Sequence, residues 1–443
     1  MKVTFIKPNI GRQEHSLYVD EGRMEPLTLG VLAGMTPEHV ECRLFDDRME
    51  DILYDEPTDL AAITVETYTA RRAYEIAAEY RKRGVPVVLG GMHVSLIPEE
   101  AAAHADSLVL GDAETIWAQV VEDAGRRKLQ PSYYGPPGIA QVGGTLPRRD
   151  LYRGKGYLPL SLMQFCRGCK FACQFCAVSK YFDKKTYLRR IDEVLREIEI
   201  LDRKFIFFID DNIAANPKAL KELCYALMDV KVTWVSQASL DCTRDPELMR
   251  LMERSGNWGN VTGFESITEA SLRETKKSPN LGKFCNYERE VAVLRDHGMQ
   301  TWAAFALGFD HDTLDSVRAT VDFALQNKFT FAAFNILMPY PNTPLYEKLQ
   351  KEDRHLYGGK WWLHPEYRFN YCAFKPARMT PQELTDACHA ARQRYNSPLS
   401  LLYRFSDFKT NMRSLGRMIV FWYYTLIFRK EVYKKHAMRF GLN

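Results

Sequence analysis

The sequence predicts an α/β chain in three parts: an N-terminal Rossmann-like, doubly wound region (1–145), a partial (β/α)6 TIM barrel (146–360) and a C-terminal helical segment (361–443). Three observations predict it. Short apolar runs alternate with helix-forming stretches up to about residue 114. A second series of six such runs follows a Pro/Gly-rich stretch. From about Trp361 the alternation stops. Strands that alternate with helices lie side by side in a parallel sheet with helices on its faces.

In the first region, strands are expected at residues 3–6, 40–46, 60–65, 85–89 and 107–110, with a helix over 70–83 that stops at Gly84. Four of these strands end in polar or glycine-rich chain at Asp46, Thr67, Gly90-Gly91 and Gly111, and ligands bind beyond such carboxyl ends. Residues 130–150, with Pro131, Pro136-Pro137-Gly138, Gly143-Gly144 and Pro147, read as a linker. The second series places strands at 160–164, 205–209, 233–237, 261–264, 301–305 and 331–336, with helices such as 192–201 and 217–228 between them. Six βα units make three quarters of a barrel, whose chemistry belongs at the strand carboxyl ends. Pro381 opens a helix expected to run through Ala391.

Composition narrows the function. The chain has 443 residues, 46% hydrophobic and 26% charged, with a net charge of +4, too small to argue for a nucleic-acid partner. There is no export signal and no apolar run of about 20 residues, so a cytoplasmic protein is expected. Ten cysteines in such a chain do not read as a disulfide framework. Cys42, Cys224, Cys242, Cys285, Cys372 and Cys388 read as buried small hydrophobes.

The remaining cysteines are grouped: Phe165-Cys-Arg-Gly-Cys169-Lys-Phe-Ala-Cys173-Gln-Phe-Cys176. A zinc site would ask for a fourth ligand at paired spacing. Three thiolates on one loop, directly after the first barrel strand, suit a [4Fe–4S] cluster with one iron left open. Cys166 lies outside this Cys-x3-Cys-x2-Cys spacing and is either a fourth ligand or a buried spectator. The pattern resembles the radical S-adenosylmethionine (SAM) superfamily. The resemblance implies that Cys169, Cys173 and Cys176 hold the cluster, that SAM chelates the open iron, and that reduction yields a 5′-deoxyadenosyl radical. It also implies a reductant such as flavodoxin or ferredoxin. Residues at the strand ends are then expected around SAM: Asp210, Asp211 and Asn212 near its amino group, Gln237 and Ser239, Glu265 near the ribose, Gly308 and Phe175 near the adenine, and Arg189 or Arg190 near the carboxylate.

The N-terminal strings Pro86-Val-Val-Leu-Gly-Gly-Met-His93 and Leu108-Val-Leu-Gly-Asp-Ala-Glu114 resemble the cobalamin-binding domain of class B radical SAM enzymes. Gly263-Phe-Glu-Ser266 and Met338-Pro-Tyr-Pro-Asn-Thr-Pro344 are similar to the hopanoid-methylase-like branch. That resemblance implies cobalamin near Thr67, Gly90, Gly91, Gly111 and Glu114, and methylation of an unactivated carbon. His93 is more readily a loop histidine than a cobalt ligand. Two strings depart from the family: Gly-Asp-Ala-Glu replaces Gly-Glu-Gly-Glu, and Pro-Asn-Thr-Pro replaces Pro-Gly-Thr-Pro. Rival readings are a radical cyclisation, rearrangement or transfer of another SAM-derived group without cobalamin, and a non-catalytic iron–sulfur protein.

Residues 401–443 hold nine Lys/Arg against two Asp/Glu, so +7, while the first 400 carry −3. Their apolar run 418–428 is too short to span a bilayer. It reads either as an interfacial helix peripheral to the inner membrane, which would favour a lipid over another small-molecule substrate, or as a cap on the barrel.

Overall fold

The computed structural model describes residues 1–11, 22–136, 138, 145–281 and 286–442. Cys285, Pro137 and Gly143-Gly144 lie outside them. The first sheet contains β1 (Lys2–Lys7), β2 (Glu41–Asp46), β3 (Leu60–Thr64), β4 (Val87–Gly90), β5 (Ser107–Gly111) and β6 (Ser132–Gly135), all parallel, in the order β2-β1-β3-β4-β5-β6. The five expected strands are present within two residues at each end. β6 is an addition, inside the stretch read as linker. It is a four-residue edge strand between Pro131 and Pro136, and the flanking prolines hid it.

β7 (Ser161–Met163) opens the second sheet. An antiparallel hairpin, β8 (Cys166–Gly168) and β9 (Thr186–Leu188), brackets the cysteine loop. The second sheet continues through β10 (Phe205–Phe208), β11 (Thr233–Gln237), β12 (Asn257–Glu265), β13 (Gln300–Leu307) and β14 (Phe331–Ile336). Its order is sequential, β7-β10-β11-β12-β13-β14, and wholly parallel, as a partial (β/α)6 barrel requires. β12 starts four residues earlier than the sequence suggested. Asn257 and Asn260 sit buried in it and bond to each other, Nδ2 to Oδ1 at 3.2 Å, so they tolerate a strand that their polarity disguised.

Alternation along the strands separates two layers. Phe305 of β13 faces the helices and stacks on Phe334 of β14, ring centroids 5.5 Å apart. Trp302 and Phe331 face the barrel interior and stand 5.2 Å apart. Six strands do not close a barrel, so β7 and β14 each keep an edge without a strand neighbour. Other segments meet those edges: Glu25 accepts the Leu162 amide, Arg149 donates to the Leu162 carbonyl, and Arg392 of the helix Pro381–Tyr395 donates to the Phe334 carbonyl. The aromatic layer inside is covered by the terminal helix Leu415–Lys435. Its Tyr424 packs with Leu160 and Leu162 at the β7 edge. Its Phe428 lies 5.5 Å from Phe331 of β14 and 4.6 Å from Trp302. At the barrel floor its Arg417 is buried and donates to the carbonyl of Trp258.

Beyond the helix the chain climbs to the first sheet. Gly441 donates to the Ile10 carbonyl at 2.9 Å, and Phe440 enters an aromatic group with Tyr68, Trp361 and Tyr367. A second tie runs through Glu100. Its carboxylate accepts from Trp362 Nε1 at 2.9 Å, pairs with Lys360 at 3.0 Å and lies 3.3 Å from His93 Nε2. Burial alone would raise this carboxyl, but the bonds from His93, Trp362 and Lys360 outweigh it and hold it down to about 2. Its stabilising contribution is therefore complete above the ordinary carboxylate range and lost as pH falls from about 4.5 towards 2. Two outcomes are expected. In denaturant titrations between pH 6 and 3, wild type loses stability more steeply than Glu100→Gln. Phe421→Ala, which removes a ring with no exposure from the inner face of the terminal helix, lowers unfolding free energy by about 3–5 kcal/mol.

Candidate functional site

The cysteine loop hangs from the carboxyl ends of β7 and β10. Asp210 Oδ1 accepts the Phe165 amide at 2.8 Å, and Asp211 Oδ2 accepts the Gly168 amide at 2.7 Å. Asp210 has no exposure, and burial pushes its carboxyl up to about 7. It therefore stands behind the loop and holds it. Asn212 bridges outward: its Nδ2 lies 3.8 Å from Cys169 Sγ and 3.0 Å from Ser239 Oγ, and its Oδ1 accepts the Ser239 amide at 3.1 Å. Gln237 and Ser239 follow the inward parity of β11 and are half-buried.

Cys173 is buried, whereas Cys169 and Cys176 are partly open. Burial pushes the Cys173 thiol up to about 12, although the Lys277 ammonium beside it pulls the other way, and it feels the charges of both Cys176 and Cys169. Among the described residues no three Cys, His, Asp or Glu side chains converge as ligands of a single ion would. A cluster several atoms across takes its thiolates farther apart, and three thiols grouped on one loop fit that larger body. Cys166 is fully buried in the core.

Glu265 ends β12 in a left-handed conformation, φ 62°, and receives Lys277 Nζ at 2.8 Å. The pair lies over Gly263, where an added Cβ would come within 2.3 Å of Glu265 Oε1 and 2.9 Å of Lys277 Nζ. Burial works against the ammonium, but Glu265 and the Cys173 and Cys176 thiols hold its pKa above the ordinary lysine value. Sequence reasoning missed Lys277, because Thr275-Lys-Lys277 reads as a solvated helix end. The fold instead ties that turn to the cysteine loop, through the Gln174 amide on the Thr275 carbonyl at 3.1 Å.

Other expected residues take structural places. Arg189, expected near the SAM carboxylate, is buried with its guanidinium on Glu197 and Glu193. Glu197 also pairs with Arg149, which reaches on to Glu25. Arg190 is exposed on Asp192. Gly308, φ 106°, is required by the Leu384 side chain, 2.6 Å from where its Cβ would stand. Phe175 packs 6.2 Å from Phe309.

A cavity of about 450 Å³ opens between the carboxyl edge of the first sheet and the cysteine hairpin. Gly90, Gly91, Gly111 and Glu114 line one wall, and Gln164, Arg167 and Asp211 the other. Thr67 is buried behind it, its Oγ1 3.2 Å from His93 Nδ1. Both ring nitrogens of His93 are thus engaged inside the protein. Asp112, from the divergent Gly-Asp-Ala-Glu string, closes the cavity: it accepts from Tyr181 at 2.9 Å, Arg167 at 3.1 Å and the Gly138 amide at 2.6 Å. Asn342, the other departure, holds φ 59°, a conformation glycine or asparagine suits, and its amide reaches the Leu96 carbonyl.

Fold and loop together define an iron–sulfur SAM-cleaving class, and the chain belongs to the radical SAM superfamily, whose domain model matches residues 163–324. It is 31% identical to the bacteriochlorophyllide d C-8(2)-methyltransferase of Chlorobaculum tepidum, over 75% of this chain and 78% of that one. It is 25% identical to the hopanoid C-2 methylase of Rhodopseudomonas palustris, over 75% and 65%. The solved structure of the radical SAM methyltransferase TsrM from Kitasatospora setae, with cobalamin and a [4Fe–4S] cluster bound, shares the fold with TM-score 0.61 at 18% identity, covering 79% of this chain and 78% of that one.

If Asp210 hangs the loop, Asp210→Ala loses an internal carboxylate hydrogen bond worth about 1.5–3 kcal/mol. Iron retained after anaerobic reconstitution then falls well below wild type, while Asp210→Asn, which keeps an acceptor oxygen, stays near it. Equal iron in all three proteins would remove the carboxylate from this role.

Proposed function

We propose that the protein methylates an unactivated carbon of an apolar substrate with a [4Fe–4S] cluster, SAM and cobalamin gathered in one enclosed space. In this reading residues 1–145 carry cobalamin, 146–360 carry the cluster and SAM, and 361–443 close the site. The observation that carries it is the cavity shared by the glycine edge of the first sheet and the cysteine hairpin. Groups bound on its two walls would meet with water excluded. Relatives named for methyl transfer to bacteriochlorophyllide and hopanoids support the reaction and an apolar substrate.

When bound, these groups supply a 5′-deoxyadenosyl radical and a transferable methyl group. The chain's own residues do the positioning. Cys169, Cys173 and Cys176 would ligate three irons. Asp210, Asp211 and Arg189 keep their loop in place. Asn212, Gln237, Ser239, Glu265 and Lys277 would face SAM, with Phe175 and Gly308 at its adenine end. Gly90, Gly91, Gly111 and Glu114 would line the cobalamin, with Thr67 behind them. A flavodoxin or ferredoxin in the cytoplasm would supply electrons. A substrate too apolar to dissolve would be met at a membrane, through peripheral contact of the tail.

Anaerobic purification from cobalamin-fed cells is expected to give about four irons and about one cobalt per chain. With substrate, S-adenosylhomocysteine and 5′-deoxyadenosine should accumulate together. Iron without cobalt, even after adding hydroxocobalamin, overturns the methylation reading in favour of a cyclisation or rearrangement driven by SAM alone. Cys173→Ala should abolish reductive SAM cleavage, and cleavage at the wild-type rate would sink the assignment of the cluster.

A further inference from the structure

The terminal helix has two faces. Its inner face, with Phe421, Tyr424 and Thr425, is buried against the barrel. Its outer face carries Leu415, Ile419, Trp422 and Leu426 at helical spacing, and no element covers Leu415, Ile419 or Leu426, which are 73%, 59% and 47% exposed. The preceding helix, Pro398–Phe405, adds Leu399 and Leu402, 81% and 59% exposed, and the turn after it adds Phe408 at 74%. The two helices join into one surface where Phe405 meets Trp422, centroids 5.0 Å apart. Ten of the sixteen exposed large apolar side chains among the described residues lie in residues 399–442, a tenth of the chain, so the patch is not scattered surface apolarity.

The charge of residues 401–443 is mainly basic. Of the two acids in residues 401–443, Asp407 is buried on Arg295 and Thr410, and Glu431 turns in to the Gly22 amide and Lys435. Lys409, Arg413 and Lys430 stay exposed at the rim. Lys409 and Arg413 engage Asp296 and Glu253 from neighbouring helices, so the acids beside the patch are already matched by its bases. No described helix is long and apolar enough to cross a membrane.

We propose that the outer surface formed by residues 398–426 seats the protein on an anionic lipid bilayer, with the apolar row in the acyl boundary and the basic rim at the headgroups. The net charge of +7 on residues 401–443 favours an anionic lipid as the occupant over a second copy of the same segment. The inference deepens the membrane-contact part of the functional reading and is independent of methyl transfer. The same seating brings the bilayer to the helix that closes the barrel, the side from which an apolar substrate would be delivered.

The test is co-sedimentation of the full, anaerobically reconstituted chain with phosphatidylglycerol or phosphatidylcholine vesicles. Wild type should partition onto phosphatidylglycerol at least about tenfold better than onto phosphatidylcholine. Ile419→Glu with Leu426→Glu should lower that partition about tenfold or more, with circular dichroism and iron content unchanged, since both side chains point away from the core. Leu399→Glu with Phe408→Glu, on the other helix and its turn, should do the same. Wild type left in the supernatant with both lipids would overturn membrane contact altogether. Wild type that binds while both variants bind equally would keep membrane contact but overturn this surface. A dimer in size exclusion that the variants dissolve, without vesicle binding, would assign the patch to a second copy instead.

Discussion

An open parallel sheet is the constraint on which this molecule turns. Six strands in sequential order curve towards a barrel but leave β7 and β14 without a strand neighbour on one side, where Glu25, Arg149 and Arg392 take up edge backbone groups instead. The inner faces of β10, β13 and β14 present Phe207, Trp302 and Phe331, large rings that water would otherwise reach. The terminal helix covers those rings, with Phe428 on Trp302 and Phe331 and Tyr424 in one cluster with Leu160 and Leu162. The extension beyond it then reaches Ile10, in the chain that follows β1. One element therefore completes the barrel and fixes the sheet that faces its mouth.

Buried charge organises the other side. Glu25, Arg149, Glu197 and Arg189 form a chain from the first region to the root of the cysteine hairpin. Such pairs cost desolvation and add little net stability, but each demands its partner, so they specify one arrangement. Asp210 and Asp211 act similarly on the loop amides. The cysteines are thus held by carboxylates at a strand's end, and buried Asn212 with half-buried Gln237 and Ser239 is left towards the interior.

Much of this was legible in the sequence. The strand order followed from apolar runs, and the cysteine loop from its spacing. What escaped did so for local reasons. β6 is short and bounded by prolines, and the start of β12 is written in asparagines that satisfy one another. Arg189 and Asp210 stood where a ligand contact was expected, but a strand's end does not say which carboxylate or guanidinium turns inward to hold backbone. Lys277 was invisible because its position depends on a turn tied to the cysteine loop from over 100 residues away. Asn342 was legible in reverse: the departure from glycine sits at a positive φ that asparagine tolerates, and its side chain adds a bond to the first region at the Leu96 carbonyl.

The helix that fills the gap follows β7 by some 250 residues of chain. A nascent polypeptide that has already made all six strands still lacks the wall between the first and the last. Its inner aromatic layer stays wet until that distant segment emerges. The protein is therefore most exposed to misassembly late in its synthesis, with most of its architecture already formed.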